Sequence, residues 1–305
     1  MSELSQLSQL SAVLAEVRDQ LSSAGVECPA REARRLITAA AGIAPESIIV
    51  SPNQSLSARQ QCAIRHWSQR RAAGEPISRL SGIREFYGHS FRLSRDTLEP
   101  RSDSETLIDA TLEQIDRRRE RDHTWRIVDV GTGTGCLLIS LLLELPRATG
   151  VGVDMSQAAL AAAVDNAERL GVADRSDWRV SNYLADVDET FDILISNPPY
   201  IPTAQIAHLD RSVRLFDPHL ALDGGLDGLE GYRAIGSRAL HVVPSGFMIF
   251  ETADNDQHRV CEAVLAEMGC GKARMVGSRR DMAGIGRSVA IETLPLGKDE
   301  KELDS

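Results

Sequence analysis

Leu4, Leu7, Leu10, Leu14, Val17 and Leu21 recur at steps of three and four, which lays one apolar stripe along a helix near the start of the chain. A second helix is expected over PAREARRLITAAAG, with Pro29 near its start and Gly42 past its end. A third is expected from Ser57 to Gly74, and β-prone residues on both sides of Gly88 point to a hairpin. From about residue 103 the texture changes. Helical patterns such as DSETLIDATLEQIDRRRE, GCLLISLLLEL, SQAALAAAVDNAERLG, GLEGYRAIGSRALHVV and DQHRVCEAVLAEMG alternate with the short apolar runs WRIVDV, GVGVD, DWRVS, FDILIS, GFMIFET, KARMVG and RSVAIET. Alternation on this scale implies crossover units, hence an α/β fold with a mostly parallel, doubly wound sheet. No internal repeat is visible.

These patterns divide the 305 residues into a small helical domain over 1–85, ending in a hairpin and linker at about 75–100, a larger α/β domain over 101–295, and a polar acidic tail, 296–305, expected to be disordered. The most apolar run, CLLISLLLEL, is interrupted by Ser140 and Glu144 and is far shorter than the roughly 20 residues of a membrane span. The opening MSELSQLSQL does not read as a secretory signal. Five cysteines without a CxxC pair suit reduced thiols, mostly small core residues, in a cytoplasmic protein. The seven histidines show no metal-ligand spacing, so no metal is expected. A net charge of −10 argues against a nucleic-acid backbone as partner. The charge is uneven: residues 1–85 hold 10 Arg against 8 Asp and Glu, leaving −12 for the rest.

Two motifs carry chemistry. In VDVGTGTGC an apolar run ends at Val130, and Gly131, Gly133 and Gly135 precede a helix. Glycines there let the backbone turn tightly and approach a ligand at the carboxyl edge of the sheet. The dinucleotide fingerprint would need a further glycine where Cys136 stands, and no GK[ST] follows. Asp154 closes the next strand, placed to accept hydrogen bonds from both hydroxyls of a ribose. The combination favours a nucleoside ligand. The second motif is SNPPYIP, directly after FDILI. Two adjacent prolines cannot continue a ladder, so the strand must stop at Ser196. Asn197 then offers a donor and an acceptor, and the Pro198 carbonyl is a second acceptor. Two acceptors side by side suit a planar –NH2 group, on whose flat carrier Tyr200 can stack.

With these residues assembled, the chain resembles the bacterial peptide chain release factor N5-glutamine methyltransferases, class I enzymes that depend on S-adenosylmethionine. The stretches EPISRLSGIREFYGHSF, EPRSDSETLID, NPPYIP, FDPHLALDGGLDGLEGYRAI and RRDMAGIGR carry the likeness through the whole chain except the tail. The resemblance implies a seven-stranded Rossmann-like methyltransferase sheet preceded by a small helical domain, whose position and slight positive charge mark it as the expected substrate-recognition domain. It implies that Gly131, Thr132, Gly133, Thr134 and Gly135 line the methionine part of the cofactor, that Asp154 holds the ribose, and that Asn182 and Tyr183 flank the adenine. Asn197 would touch both cofactor and substrate, and Asn197, Pro198, Pro199 and Tyr200 would grip a glutamine amide, with Asn197, Pro198 and Tyr200 as catalytic residues. The implied target is the glutamine of a Gly-Gly-Gln tripeptide in a release factor, and a cytoplasmic monomer without membrane or nucleic-acid partners is expected. The chain departs from the family pattern at Asn182-Tyr183, at Arg101-Ser102-Asp103 and in ETADNDQ. Alternatives are a glutamine methyltransferase acting on a ribosomal protein, an N6-adenine methyltransferase, and a non-catalytic module that binds release factors. Adenine presents the same –NH2 group but would call for base flipping and a basic groove.

Overall fold

The structure is a computed structural model that describes residues 9–253, 255–269 and 271–294. The expected tail 296–305, Leu4, Leu7 and Cys270 lie outside the described residues. The chain separates into two compact units. One runs to Ile83 and takes in Asp210–Phe216; the other comprises Arg84–Leu209 and the described residues between Asp217 and Leu294.

In the first unit, helices α1 (Leu10–Ser23), α2 (Pro29–Ala41) and α3 (Ala58–Ala72) enclose one apolar cluster. Leu10, Val13, Val17 and Leu21 of α1 meet Leu36 and Ile37 of α2 and Ile64 of α3, so the three-and-four spacing becomes one buried stripe per helix. Ser57 and Gln60 form a reciprocal capping box that starts α3. Glu32, 8 % exposed, is held between Arg35 and Arg71 and ties α2 to α3. The short helices Ser47–Val50 and Ile77–Ser81 connect these elements. The segment Asp210–Phe216, helical over Arg211–Phe216, lays the Arg211 stem over Gly74 within this unit. Nothing in the local pattern of residues signals that placement, which arises from long-range packing.

The hairpin β1 (Ile83–Phe86) and β2 (His89–Arg92) turns through Tyr87 and Gly88, both at positive φ, a two-residue turn whose twist matches the strands. Among the described residues, seven strands form the main sheet of the second unit: β3 (Arg126–Val130), β4 (Thr149–Asp154), β5 (Ser176–Val180), β6 (Ile193–Ser196), β7 (Phe247–Glu251), β8 (Ala273–Arg280) and β9 (Gly286–Thr293). Their order is β5-β4-β3-β6-β7-β9-β8, parallel except for β9, which pairs antiparallel with both neighbours. Alternate residues face opposite layers. Ile127, Ile193, Ile195, Phe247, Ile249 and Ala290 pack with α4 (Glu105–Arg118), α5 (Cys136–Glu144) and the end of α6 (Gln157–Leu170). Val128, Val130, Leu194, Met248, Phe250, Val289 and Ile291 pack with α7 (Glu230–Val242) and α8 (Gln257–Met268). Central strands buried on both faces read as continuous apolar runs, which is why FDILI and GFMIF show no polar alternation.

The strand order reverses between β3 and β6, and the loops after a reversing pair leave a crevice at the carboxyl edge. The expectation that the cysteines are mostly core residues is corrected. Cys261 is buried, but Cys28 and Cys62 are exposed, because Cys28 sits in the turn that precedes α2 and Cys62 on the solvent side of α3. No described helix is long and apolar enough to cross a membrane.

Candidate active site

The glycine loop leaves β3 at Val130. Gly131 and Gly133 sit at φ 74° and 54°, a region that side chains strongly disfavour, and open space lies where a Cβ would be. The N–H groups of Gly131 and Thr132 both donate to the Val153 carbonyl on β4, and the Gly133 N–H donates to Asp154 Oδ2 at 2.9 Å. Asp154 Oδ1 accepts from the Ser156 N–H at 2.9 Å. Asp154 therefore closes the loop onto β4 while keeping lone pairs for a ligand. Beneath the loop, Thr132 donates its hydroxyl to Asp129 Oδ2 at 2.6 Å. Asp129 is fully buried, and Oδ1 has no hydrogen-bond partner among the described residues. Burial outweighs the Thr132 bond and pushes its pKa up to about 7.

The second loop arrives through sheet register. Val130 pairs with Ser196, and Ser196 with Phe250, so Asn197 follows at the level of Gly131 on one side and Glu251 on the other. The strand stops at Ser196, as its two prolines require. No described backbone N–H donates to the Pro198 carbonyl. Asn197 Nδ2 donates to Ser104 Oγ at 3.2 Å, which leaves Oδ1 as the open acceptor. Beyond Tyr200 the chain is clamped by the DGGLDG stretch: the Ile201 N–H donates to the Leu222 carbonyl, and the Gly224 N–H donates to the Ile201 carbonyl. A Cβ on Gly228 would fall 2.4 Å from the Tyr200 carbonyl, so only glycine lets the two loops approach.

A cavity of about 860 Å³ opens between the loops. Gly131, Thr132, Gly133, Thr134, Asp154, Asn182, Tyr183, Asn197 and Pro199 line it, so two motifs more than sixty positions apart share one wall. Gly135, Pro198 and Tyr200 are not among its lining residues. Gly135 is buried at the start of α5, where a Cβ would meet Ile139 and Trp178 at 2.9 Å. Pro198 is buried. Tyr200 packs against the core with its hydroxyl donating to Glu251 Oε1 at 3.3 Å, and burial of that hydroxyl beside the carboxylate pushes its pKa up. Tyr183 adopts φ 51° and stands beside Gly231, where an added Cβ would meet its hydroxyl at 3.0 Å.

Several residues at or beside the cavity carry no signal in the two motifs. Arg101 lines it and pairs with Asp217 at 2.5 Å, whose side chain is 2 % exposed. Ser104 and Glu230 also line it, and Leu220 and Leu226 form an exposed apolar rim. Glu251 lies behind it, 2 % exposed. The stretches EPRSDSE and DGGLDGLEG that hold four of these residues stand out only through resemblance, because their purpose is to meet segments a hundred positions away. Among the described residues no group of three or more His, Cys, Asp or Glu could hold a metal ion.

The residues present fit S-adenosylmethionine. The cavity has room for a nucleoside with an amino-acid arm, its glycine loop allows close approach, and Asp154, Asn182 and Asn197 supply polar contacts along it. Fold and site together define a Rossmann-like methyltransferase. Residues 12–82 match the PrmC N-terminal domain and residues 104–220 the methyltransferase small domain. The release factor glutamine methyltransferase of Bradyrhizobium diazoefficiens is 43 % identical, with 90 % of this chain and 92 % of that one covered. That of Cereibacter sphaeroides is 38 % identical over 92 % of each. That of Moorella thermoacetica is 35 % identical over 86 % of this chain and 92 % of that one. The chain belongs to the release factor glutamine methyltransferase family.

Proposed function

We propose that this protein transfers a methyl group from S-adenosylmethionine to the side-chain amide nitrogen of the glutamine in the Gly-Gly-Gln segment of a peptide chain release factor. The observation that carries the reading is the pair of acceptors at the end of β6: Asn197 Oδ1, left open because Nδ2 is engaged by Ser104, and the Pro198 carbonyl. An amide nitrogen is a poor nucleophile, and S-adenosylmethionine supplies the electrophilic methyl. The protein's task is positioning, for which oriented groups reach effective molarities on the order of 10⁵ to 10⁸ M. Asn197 and Pro198 take both protons of the –NH2, hold its plane, and stabilise the charge that grows on it. Pro199 stiffens the loop, and Tyr200 anchors it to β7. Gly131 to Gly135, Asp154, Asn182 and Tyr183 hold the methyl donor at the same sheet edge. The protein acts in the cytoplasm, where translation ends.

Recognition of the intact factor falls to the helical unit, which exposes Ile49 and Val50 at 83 % and 76 %. Replacing both by serine is expected to raise KM for the release factor several-fold with kcat unchanged; an unchanged KM rejects this role. The reaction itself is tested by labelled methyl transfer to a purified release factor, to the same factor with its glutamine replaced by alanine, and to duplex DNA. Label on the intact factor alone supports the reading. Label on DNA, or on the alanine variant, overturns it.

A further inference from the structure

Asn197 can hold an –NH2 group only if its amide points one way. With Oδ1 toward the substrate it accepts, whereas with Nδ2 there two donors would face each other. The amide is nearly symmetric in shape, so something must choose. Nδ2 donates to Ser104 Oγ at 3.2 Å, but a serine hydroxyl can equally donate, and would then draw Oδ1 toward itself. The choice passes to whatever holds the Ser104 proton.

The carboxyl that sheet register brings beside Asn197 is that of Glu251, the last residue of β7. It is 2 % exposed. Tyr200 donates to Oε1 at 3.3 Å. Sheet register sets Asn197, to which Ser104 is bonded, level with Glu251, and Ser104 acts on the carboxylate to favour its ionised form; Oε2, buried and without a hydrogen-bond partner among the described residues, is the atom toward which the Ser104 hydroxyl would turn. Tyr232 donates to the Glu251 backbone carbonyl at 2.7 Å, which fixes the residue on α7. An ionised carboxylate accepts only, so it draws the Ser104 proton toward itself and turns the lone pairs of Oγ toward Asn197. A protonated Glu251 becomes a donor, releases the Ser104 proton, and lets the amide turn over.

We propose that Glu251 is a positioning residue which, through Ser104, sets the orientation of the Asn197 amide and thereby the site's ability to hold a substrate –NH2. The proposal rests on the reading that Asn197 accepts from that group. Glu251 faces Asp103 from the turn before α4, Arg287 from β9 and Tyr200 from the proline loop, with Arg101 and Asp256 acting on its tyrosine neighbours. Burial is the largest influence and pushes its pKa up to about 7, into the range where cells work. Because the ionised form is required, activity falls as the pH drops through that value.

The test compares the wild type with Glu251→Gln, Ser104→Ala and the double variant, using release factor as substrate between about pH 5.5 and 8.5. For the wild type, kcat is expected to fall about tenfold per pH unit on the acid side. Glu251→Gln should lower kcat at pH 8 by about tenfold or more and abolish that acid limb, with KM for S-adenosylmethionine kept within about twofold. Ser104→Ala should do the same, and the double variant should be no worse than either, because both act through one amide. The Asn197 side-chain amide resonance gives a readout free of turnover. It should shift with pH in the wild type and not in Ser104→Ala, even if Glu251→Gln fails to fold. A normal kcat with an intact acid limb in Glu251→Gln, additive losses, or a pH-independent Asn197 resonance in the wild type each overturn the proposal. A wild type that methylates no release factor, with the resonance still titrating, overturns instead the reading of the substrate.

Discussion

Gly152 on β4 lies in register with Trp178 on β5, and the indole fills the space a side chain would occupy. A Cβ on Gly152 would fall 2.4 Å from two ring carbons of Trp178 and 2.9 Å from Thr132 Oγ1. The same ring lies against Gly135, where a Cβ would meet it at 2.9 Å. Trp178 is thus a wedge under the glycine loop, held between β4 and the start of α5. Gly152→Ala forces the ring outward, an overpacking cost of about 1–3 kcal/mol. At roughly 2–4 °C per kcal/mol for a chain of this size class, Tm should drop by several degrees. The displaced ring disturbs Thr132 and Gly135, so binding of S-adenosylhomocysteine measured by calorimetry should weaken in parallel. Trp178→Leu makes room for the new methyl, so the double variant should be less destabilised than the two single losses added, with a coupling of about 0.5–3 kcal/mol. Unchanged Tm in Gly152→Ala, or strict additivity in the double variant, would refute the wedge.

Asn197→Ala is expected to lower kcat by about 10² to 10³ while S-adenosylhomocysteine binding weakens less, because one oriented acceptor is lost; equal losses in both measurements would remove the division of roles. Ser57→Ala deletes the hydroxyl half of the capping box on α3, leaving the backbone N–H to donate to Gln60 Oε1, and should cost about 0.5–2 kcal/mol in denaturant unfolding, with little effect on the chemistry in the second unit. Asp129 has its folded pKa raised to about 7 from an unfolded value near 3.9, so its contribution to stability is fully present below about pH 4 and is lost as pH rises through 7. Asp129→Asn should therefore gain stability relative to the wild type between acidic and alkaline urea titrations, and parallel curves would show that the carboxyl is not held protonated.

The three long helices of the first unit, the alternating elements of the second and the end of β6 at Ser196 were legible along the chain. Each is governed by contacts or conformations local to a few residues: the repeat of apolar positions, the caps, the missing N–H of proline. Gly131, Asp154 and Asn197 were legible for a related reason, since a tight turn or a strand tip demands particular residues wherever it occurs. The sheet order was not legible, and it alone makes Asn197 the neighbour of both Gly131 and Glu251. Nor could the chain show that Asp154 would spend part of its carboxylate on the Gly133 N–H, or that the Tyr200 hydroxyl would be engaged by Glu251. Cys62 ended exposed because thiol burial depends on which helix face meets a partner, and Cys28 because it stands in a turn ahead of its helix. Ser104, Glu251, Arg101 and Asp217 have no local signature: a serine, two carboxylates and an arginine are ordinary residues until folding brings Ser104 to Asn197, Glu251 to Tyr200 and Asp217 to Arg101. Sequence determined the elements and the two loops. Tertiary structure decided which polar groups would be buried together, because desolvation and register are properties of the packed sheet and of no single stretch of it.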